Sequence, residues 1–117
     1  MEFPILLVED DTGLREALAE MLEDHAYTVK TAGSARIAFE IAEAVRPRIA
    51  VVDLSLDGSS GYELAERLRA RWPEIRIFSM SGNDRDEREH VQHGVERHFL
   101  KPFRIADLLD AIGAPGA

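Results

Sequence analysis

The chain has 117 residues, 45% of them apolar and 31% charged, with no cysteine and a formal net charge of −8. This is enough for one domain with its own core, and it excludes disulfides, thiolate metal sites and thiol chemistry. The acidic balance argues against a nucleic-acid-binding face, which calls for clustered basic residues. It suits a cation or a basic protein surface as partner, and equally well mere solubility. The apolar runs fall far short of a membrane span, and no basic stretch leads an apolar one at the start. A cytoplasmic domain that does not touch the membrane is therefore expected.

Residues 3–8 form an almost wholly apolar run, as a parallel strand covered on both faces requires. Thr12 then reads as a helix N-cap, with Leu14, Ala17, Leu18, Met21 and Leu22 following at helical spacing. A short strand at 27–31 precedes Ser34, which caps a second helix with the stripe Ile37, Ala38, Ile41, Ala42 and Val45. Pro47 stops that helix, and a third strand at 49–52 halts abruptly on Asp53. A third helix is expected over 62–72, closed by Pro73, and a fourth strand over 75–80. Residues 84–93 read as a short polar helix with little more than Val91 to bury and Gly94 as its C-cap. A fifth strand at 98–100 and a fifth helix with Ile105, Leu108, Leu109 and Ile112 follow, before an end expected to fray. No repeat or linker interrupts the series, so 1–117 reads as a single domain.

Strict alternation of strand and helix predicts a parallel sheet with helices on both faces. Right-handed crossovers leave few topologies, and the flavodoxin-like order 2-1-3-4-5 is the natural one, a doubly wound (βα)5 sandwich. In such sheets the ligand sits outside the carboxyl ends of the strands. There the sequence places Glu9, Asp10 and Asp11 after strand 1, Asp53 after strand 3, Ser81 after strand 4 and Lys101 after strand 5. Carboxylates a few Å apart repel by about 4 kcal/mol per pair at an effective dielectric near 20. A divalent cation removes that cost, and an oxygen-only shallow site suits Mg²⁺. The chemistry suggested is phosphoryl transfer with Asp53 as nucleophile. The metal and Lys101 would neutralise the phosphoryl oxygens, and the Ser81 hydroxyl would hydrogen-bond one of them. Taken singly, each of these residues reads as a turn, a cap or a solvated loop; the set carries the signal.

Four stretches, "LLVEDD", "VVDLSLDGSSG", "FSMSG" and "FLKPF", carry a resemblance to the receiver (phosphoacceptor) domain of bacterial two-component response regulators, and it runs from Ile5 to Ile112. The resemblance implies that Asp53 is the phosphoacceptor and that Glu9 and Asp10 are the acidic pair, Asp10 being the more direct metal ligand. Asp11 would lie outside the metal's immediate ligands, and Ser55 would supply a backbone carbonyl to it. Ser81 matches the switch hydroxyl, and Lys101 the conserved-type lysine, with a cis bond to Pro102. Gly61 matches the glycine before the third helix. Phosphorylation would come from a histidine kinase or phosphotransfer protein. It would alter the surface of the fourth helix, fifth strand and fifth helix, read by a downstream protein or an attached output domain. The domain would catalyse only its own phosphorylation and dephosphorylation, which is not enzymatic turnover in the ordinary sense. Monomer or weak dimer is the expected state.

The chain departs from the family pattern in three places. Asp57 stands where proline is usual, the stretch from Ser81 to Lys101 is short, and His98 occupies the position of the switch aromatic. An imidazole there could still swing, and its charge would make switching depend on pH near about 6.5; the plainer alternative is an exposed strand residue. Ser55 and Asn83 fall where the family tunes its dephosphorylation rate. His90 and His93 share a helical face without a third ligand and read as solvated. Asp57 and His98 keep open a rival reading, a receiver-like docking module that works without phosphorylation. A metal-dependent phosphatase or nuclease is disfavoured, because Ser55 stands where an Asp-x-Asp nucleophile motif needs its second acid and no GxxxxGK[ST] loop occurs.

Overall fold

A computed structural model describes residues 4–56, 60–82 and 93–113. The elements are β1 (Ile5–Val8), α1 (Thr12–Asp24), β2 (Val29–Ala32), α2 (Ala35–Val45), β3 (Ile49–Asp53), α3 (Gly61–Arg71), β4 (Arg76–Ser81), β5 (Arg97–Leu100) and a C-terminal helix (Ile105–Gly113). Residues 84–92 of the expected polar helix, His90 among them, lie outside the described residues, as do Asp57 and Asn83. Gly94, assigned as its C-cap, has φ 80°, a left-handed conformation that suits glycine.

The sheet is parallel throughout, in the order β2-β1-β3-β4-β5. Each strand alternates its side chains between two helical layers. Leu6, Val8, Ala50, Val52 and Ile77 pack with Ala38, Ala42, Leu64 and Leu68 of α2 and α3. Ile5, Leu7, Val51, Phe78 and Met80 pack with Leu18 and Leu22 of α1 and with Leu108 and Ile112 of the C-terminal helix. Burying each of these large side chains contributes about 1.5–3 kcal/mol. The exposed i,i+4 ion pair Arg36–Glu40, at 3.0 Å, adds at most a few tenths. The two faces of the sheet hold the fold together.

Caps set where the helices begin. Asp11, rather than Thr12, is the N-cap of α1: its backbone is extended (φ −74°, ψ 112°) and its Oδ1 accepts from the Leu14 N–H at 3.0 Å. Both residues are good caps, and Thr12 is displaced into the first turn because the carboxylate one residue earlier reaches that amide. Ser34 and Ser60 cap α2 and α3 in the same way. Met21 and Ile37, read as core-facing from their spacing, are exposed, whereas Ala19 is buried. The helices lean slightly further round than the apolar stripe implied. At the far end of the sheet, Arg76 donates to Glu96 at 2.6 and 2.9 Å and to the carbonyls of Ala111 and Ile112 at 3.2 Å. That guanidinium satisfies carbonyls that the last turn of a helix leaves unpaired.

The start of α3 lies close against the end of β3: a Cβ on Gly61 would lie 2.3 Å from the Asp53 carbonyl oxygen and 2.7 Å from Leu54 Cα. Both obstacles are backbone and cannot rotate away. Gly61→Ala is expected to lower stability by about 2 kcal/mol or more, read as a fall in the urea midpoint at unchanged slope. An unaltered midpoint would show that this approach is not as tight as described.

Candidate functional site

The carboxyl ends of β1, β3 and β5 converge. Glu9 follows β1, Asp53 is the last residue of β3, and Lys101 follows β5. The hydrogen-bond ladder runs on past the strands: the Leu54 N–H donates to the Met80 carbonyl at 2.9 Å, and the Lys101 N–H donates to Ser81 at 2.7 Å. The Arg15 guanidinium of α1 donates to the Glu9 carbonyl at 2.7 Å, fixing the β1 tip as well. These side chains are therefore carried on rigid backbone. The Lys101–Pro102 peptide bond is cis.

Lys101 Nζ donates to Glu9 Oε1 at 2.6 Å and to Asp53 Oδ2 at 3.1 Å. The second oxygen of each carboxyl is held by backbone: Glu9 Oε2 accepts from the Asp11 N–H at 3.1 Å and Asp53 Oδ1 from the Ser55 N–H at 2.8 Å. Glu9 is 1% exposed and Asp53 3%, so charge here is costly unless it is compensated. Burial raises the Glu9 carboxyl to about 7, and a hydrogen bond with Asp53 adds to the rise, outweighing Lys101 and the Asp11 amide. Burial also opposes ionisation of Asp53. Hydrogen bonds from Glu9, the Ser55 amide and Lys101 more than offset it, and Asp53 is held below the ordinary carboxylate range. Lys101, despite its own burial, is pushed up by the two acids and stays charged. Asp53 is thus the carboxylate and Glu9 the acid that holds the proton.

Asp10, half-buried, completes a set in which one ligand oxygen each from Glu9, Asp10 and Asp53 lies within 4.8 Å of the others. The donors are all oxygen, and the proton on Glu9 occupies the place of a missing positive charge. That chemistry fits a hard divalent cation. Asp11, occupied in capping α1, takes no part.

Of the residues singled out from sequence, Glu9, Asp10, Asp53 and Lys101 are brought together, with Ser55 beside Asp53 through its amide. Ser81 ends β4 one residue past Met80, which is registered against Asp53, and it is fully buried. One partner of its hydroxyl is His98, whose Nε2 lies 3.0 Å away. His98 is not the exposed strand residue of the plainer reading. It is half-buried, and its Nδ1 lies 2.7 Å from Ser79 Oγ. Ser79 is the residue that sequence reasoning missed. The signal was available in the alternation Phe78-Ser79-Met80-Ser81, which puts both hydroxyls on one face of a strand. His93 bonds Glu66 at 2.9 Å and stacks on Tyr62 at 4.3 Å, which accounts for it without a metal.

The chain matches the model of the response regulator receiver domain over residues 5–113. It is 29% identical over 114 residues to the sporulation initiation phosphotransferase F of Bacillus subtilis, covering 96% of this chain and 92% of that one. It is 32% identical over 111 residues to the transcriptional regulatory protein PdtaR of Mycobacterium tuberculosis, where 92% of this chain covers 54% of the relative. With the response regulator FleR of Pseudomonas aeruginosa the identity is 31%, and the chain spans 24% of that protein's length. Among solved structures, a CheY-like receiver domain protein from Methanospirillum hungatei matches with TM-score 0.89 at 26% identity, covering 96% of this chain and 91% of that one. A response regulator protein from Burkholderia pseudomallei, solved with a phosphorylated aspartic acid, a calcium ion and citrate, matches with TM-score 0.89 at 26% identity, over 97% of this chain and 68% of that one.

The proton on Glu9 has a measurable sign. Its value is about 7 folded against 4.5 ordinarily, so between these the folded chain holds a proton that the unfolded chain releases, and stability falls as pH rises. Asp53, held low, acts oppositely: its contribution is present above its ordinary 3.8 and is lost as pH falls below it. In chelator, urea unfolding is expected to show stability declining from pH 5 to pH 8 by about 2 kcal/mol more in wild type than in Glu9→Gln. Parallel profiles for the two proteins would contradict the assignment of that proton.

Proposed function

The chain belongs to the response regulator receiver family, and from that premise we propose that Asp53 accepts a phosphoryl group from a phosphohistidine on a partner histidine kinase or phosphotransfer protein. The observation that carries this is the Lys101 ammonium held between Glu9 and Asp53 at the strand tips. Asp53, low in pKa and fixed on a strand end, supplies the nucleophilic carboxylate oxygen. It forms the new O–P bond as the donor's N–P bond breaks. The imidazole leaves with the electron pair and takes up a proton from solvent. Lys101, already in contact with Asp53, stands where charge grows on the phosphoryl oxygens. The Ser81 hydroxyl, at the end of the neighbouring strand, donates to one of those oxygens.

Receiver domains bind Mg²⁺ at an acidic pocket, and here Glu9, Asp10, Asp53 and the Ser55 carbonyl would hold it. When bound, the ion supplies the charge neutralisation that phosphoryl transfer needs. The Burkholderia relative carries a phosphorylated aspartic acid and a calcium ion, which supports both parts of the reading. The Bacillus relative is by name a phosphotransferase, in keeping with a group that is received and passed on.

The phosphoryl group carries a charge of about −1.5 to −2 beside Ser81, in place of the single negative charge of the Asp53 carboxylate. Drawing Ser81 toward that charge disturbs its bond to His98, and so changes the surface of β5 and the C-terminal helix. A downstream protein or an attached output domain reads that change. The chain turns over its own modification and no separate substrate, and it works in the cytoplasm as a monomer or weak dimer.

Intact-mass measurement after incubation with Mg²⁺ and acetyl phosphate, or with a phosphorylated histidine kinase, tests the acceptor. Wild type is expected to gain one phosphoryl group, and Asp53→Asn none. Modification of the Asp53→Asn chain, or no gain in wild type from either donor, would refute the assignment.

A further inference from the structure

Ser79 sits within β4, fully buried, on the face that its neighbours Phe78 and Met80 turn away from. It is registered directly against His98 on β5. Its Oγ lies 2.7 Å from His98 Nδ1, the one side-chain hydrogen bond of that hydroxyl among the described residues. The imidazole thus lies along the groove between two strands, with Nδ1 on Ser79 and Nε2 on Ser81 two residues further on.

Burial decides which way these bonds run. A hydroxyl has one proton to donate. If Nδ1 carried the ring proton, Ser79 would be the acceptor, and its own proton would point into the core without a partner, at the full cost of desolvation. If Ser79 donates to Nδ1, every proton of the pair is satisfied. Nδ1 is then the acceptor, and the neutral ring carries its proton on Nε2. That N–H donates to Ser81 Oγ, 3.0 Å away. A Ser81 hydroxyl that accepts from the ring directs its own proton elsewhere. The opposite tautomer would take that proton into Nε2 and set the ring in competition with the phosphoryl group.

We propose that Ser79 is a positioning residue for phosphoryl transfer: by donating to His98 Nδ1 it fixes the ring as the Nε2–H tautomer and so makes the Ser81 hydroxyl a donor toward the group on Asp53. This rests on Asp53 being the phosphoacceptor. Ser79 touches neither donor nor phosphoryl group and acts only through His98 and Ser81. The same pair of bonds holds the ring between β4 and β5 before any modification. A chain with phenylalanine at position 98 would lack both bonds.

Long-range ¹H–¹⁵N spectra of the imidazoles, recorded on the unmodified protein in alkaline buffer, report the tautomer directly. They are read beside the rate of phosphorylation by acetyl phosphate for wild type, Ser79→Ala and Ser79→Thr. The expected result is an Nε2–H pattern for His98 in wild type, a mixed pattern with phosphorylation slowed roughly tenfold in Ser79→Ala, the weight of one hydrogen bond, and recovery of both in Ser79→Thr. A wild-type spectrum of the Nδ1–H form overturns the proposal even if neither variant folds. An alanine variant with wild-type tautomer or wild-type rate overturns it as well. If wild type takes no phosphoryl group, the acceptor reading falls and the role of Ser79 falls with it. If the group is taken but the tautomer or rate is wrong, only the role of Ser79 is lost.

Discussion

Lys101 Nζ lies 2.6 Å from Glu9 and 3.1 Å from Asp53, and this one ammonium balances two acids that are almost wholly withdrawn from water. A single positive charge cannot neutralise two negative ones. The surplus is met by a proton retained on Glu9, whose carboxyl is pushed up to about 7, while Asp53 stays ionised. Removing one partner of such a buried set costs several kcal/mol, because the charge left behind has no water to turn to. The site is therefore stable only as a unit, and it keeps its reactive carboxylate charged while holding a vacancy for positive charge. Both features suit the proposed capture of a phosphoryl group beside a cation.

The remainder of the fold positions these groups. The tips of β1, β3 and β5 must end at the same level, which the parallel register of β1, β3, β4 and β5 provides. Ladder bonds from Leu54 and Lys101 extend that register beyond the last strand residues. Gly61, at the start of α3, approaches the Asp53 carbonyl from behind. The pleat assigns a different task to each face of β4. Phe78 and Met80 fill the core beneath α1 and the C-terminal helix, whereas Ser79 and Ser81 line the path to His98. Ser79, Ser81 and His98 thus form one hydrogen-bonded set across two adjacent strands.

Much of this was legible in the sequence. Apolar runs such as 49–52 stopping on an acid mark strands whose ends carry chemistry, and strict alternation of strand and helix leaves little freedom of topology. Glu9, Asp10, Asp53 and Lys101 were found because their charge stands out at the end of greasy segments. What was not legible depends on register and reach. A choice between Asp11 and Thr12 as N-cap turns on one residue of backbone geometry, and both types favour that position. Ser79 is a small residue in an apolar strand and reads as filler until β5 is laid against β4 and His98 falls opposite it. The proton on Glu9 is equally hidden. Glu9 and Asp10 look alike in sequence, but only Glu9 is fully buried and reaches Lys101.

Calorimetric titration of Mg²⁺ into the chain at pH 6, repeated in buffers of different ionisation enthalpy, tests this charge balance most directly. Binding is predicted to release about one proton, displaced from Glu9 as the cation enters, with the release fading at pH 8 and absent in Glu9→Gln. Binding without proton release, or no binding at all, would contradict the account of a site built one positive charge short.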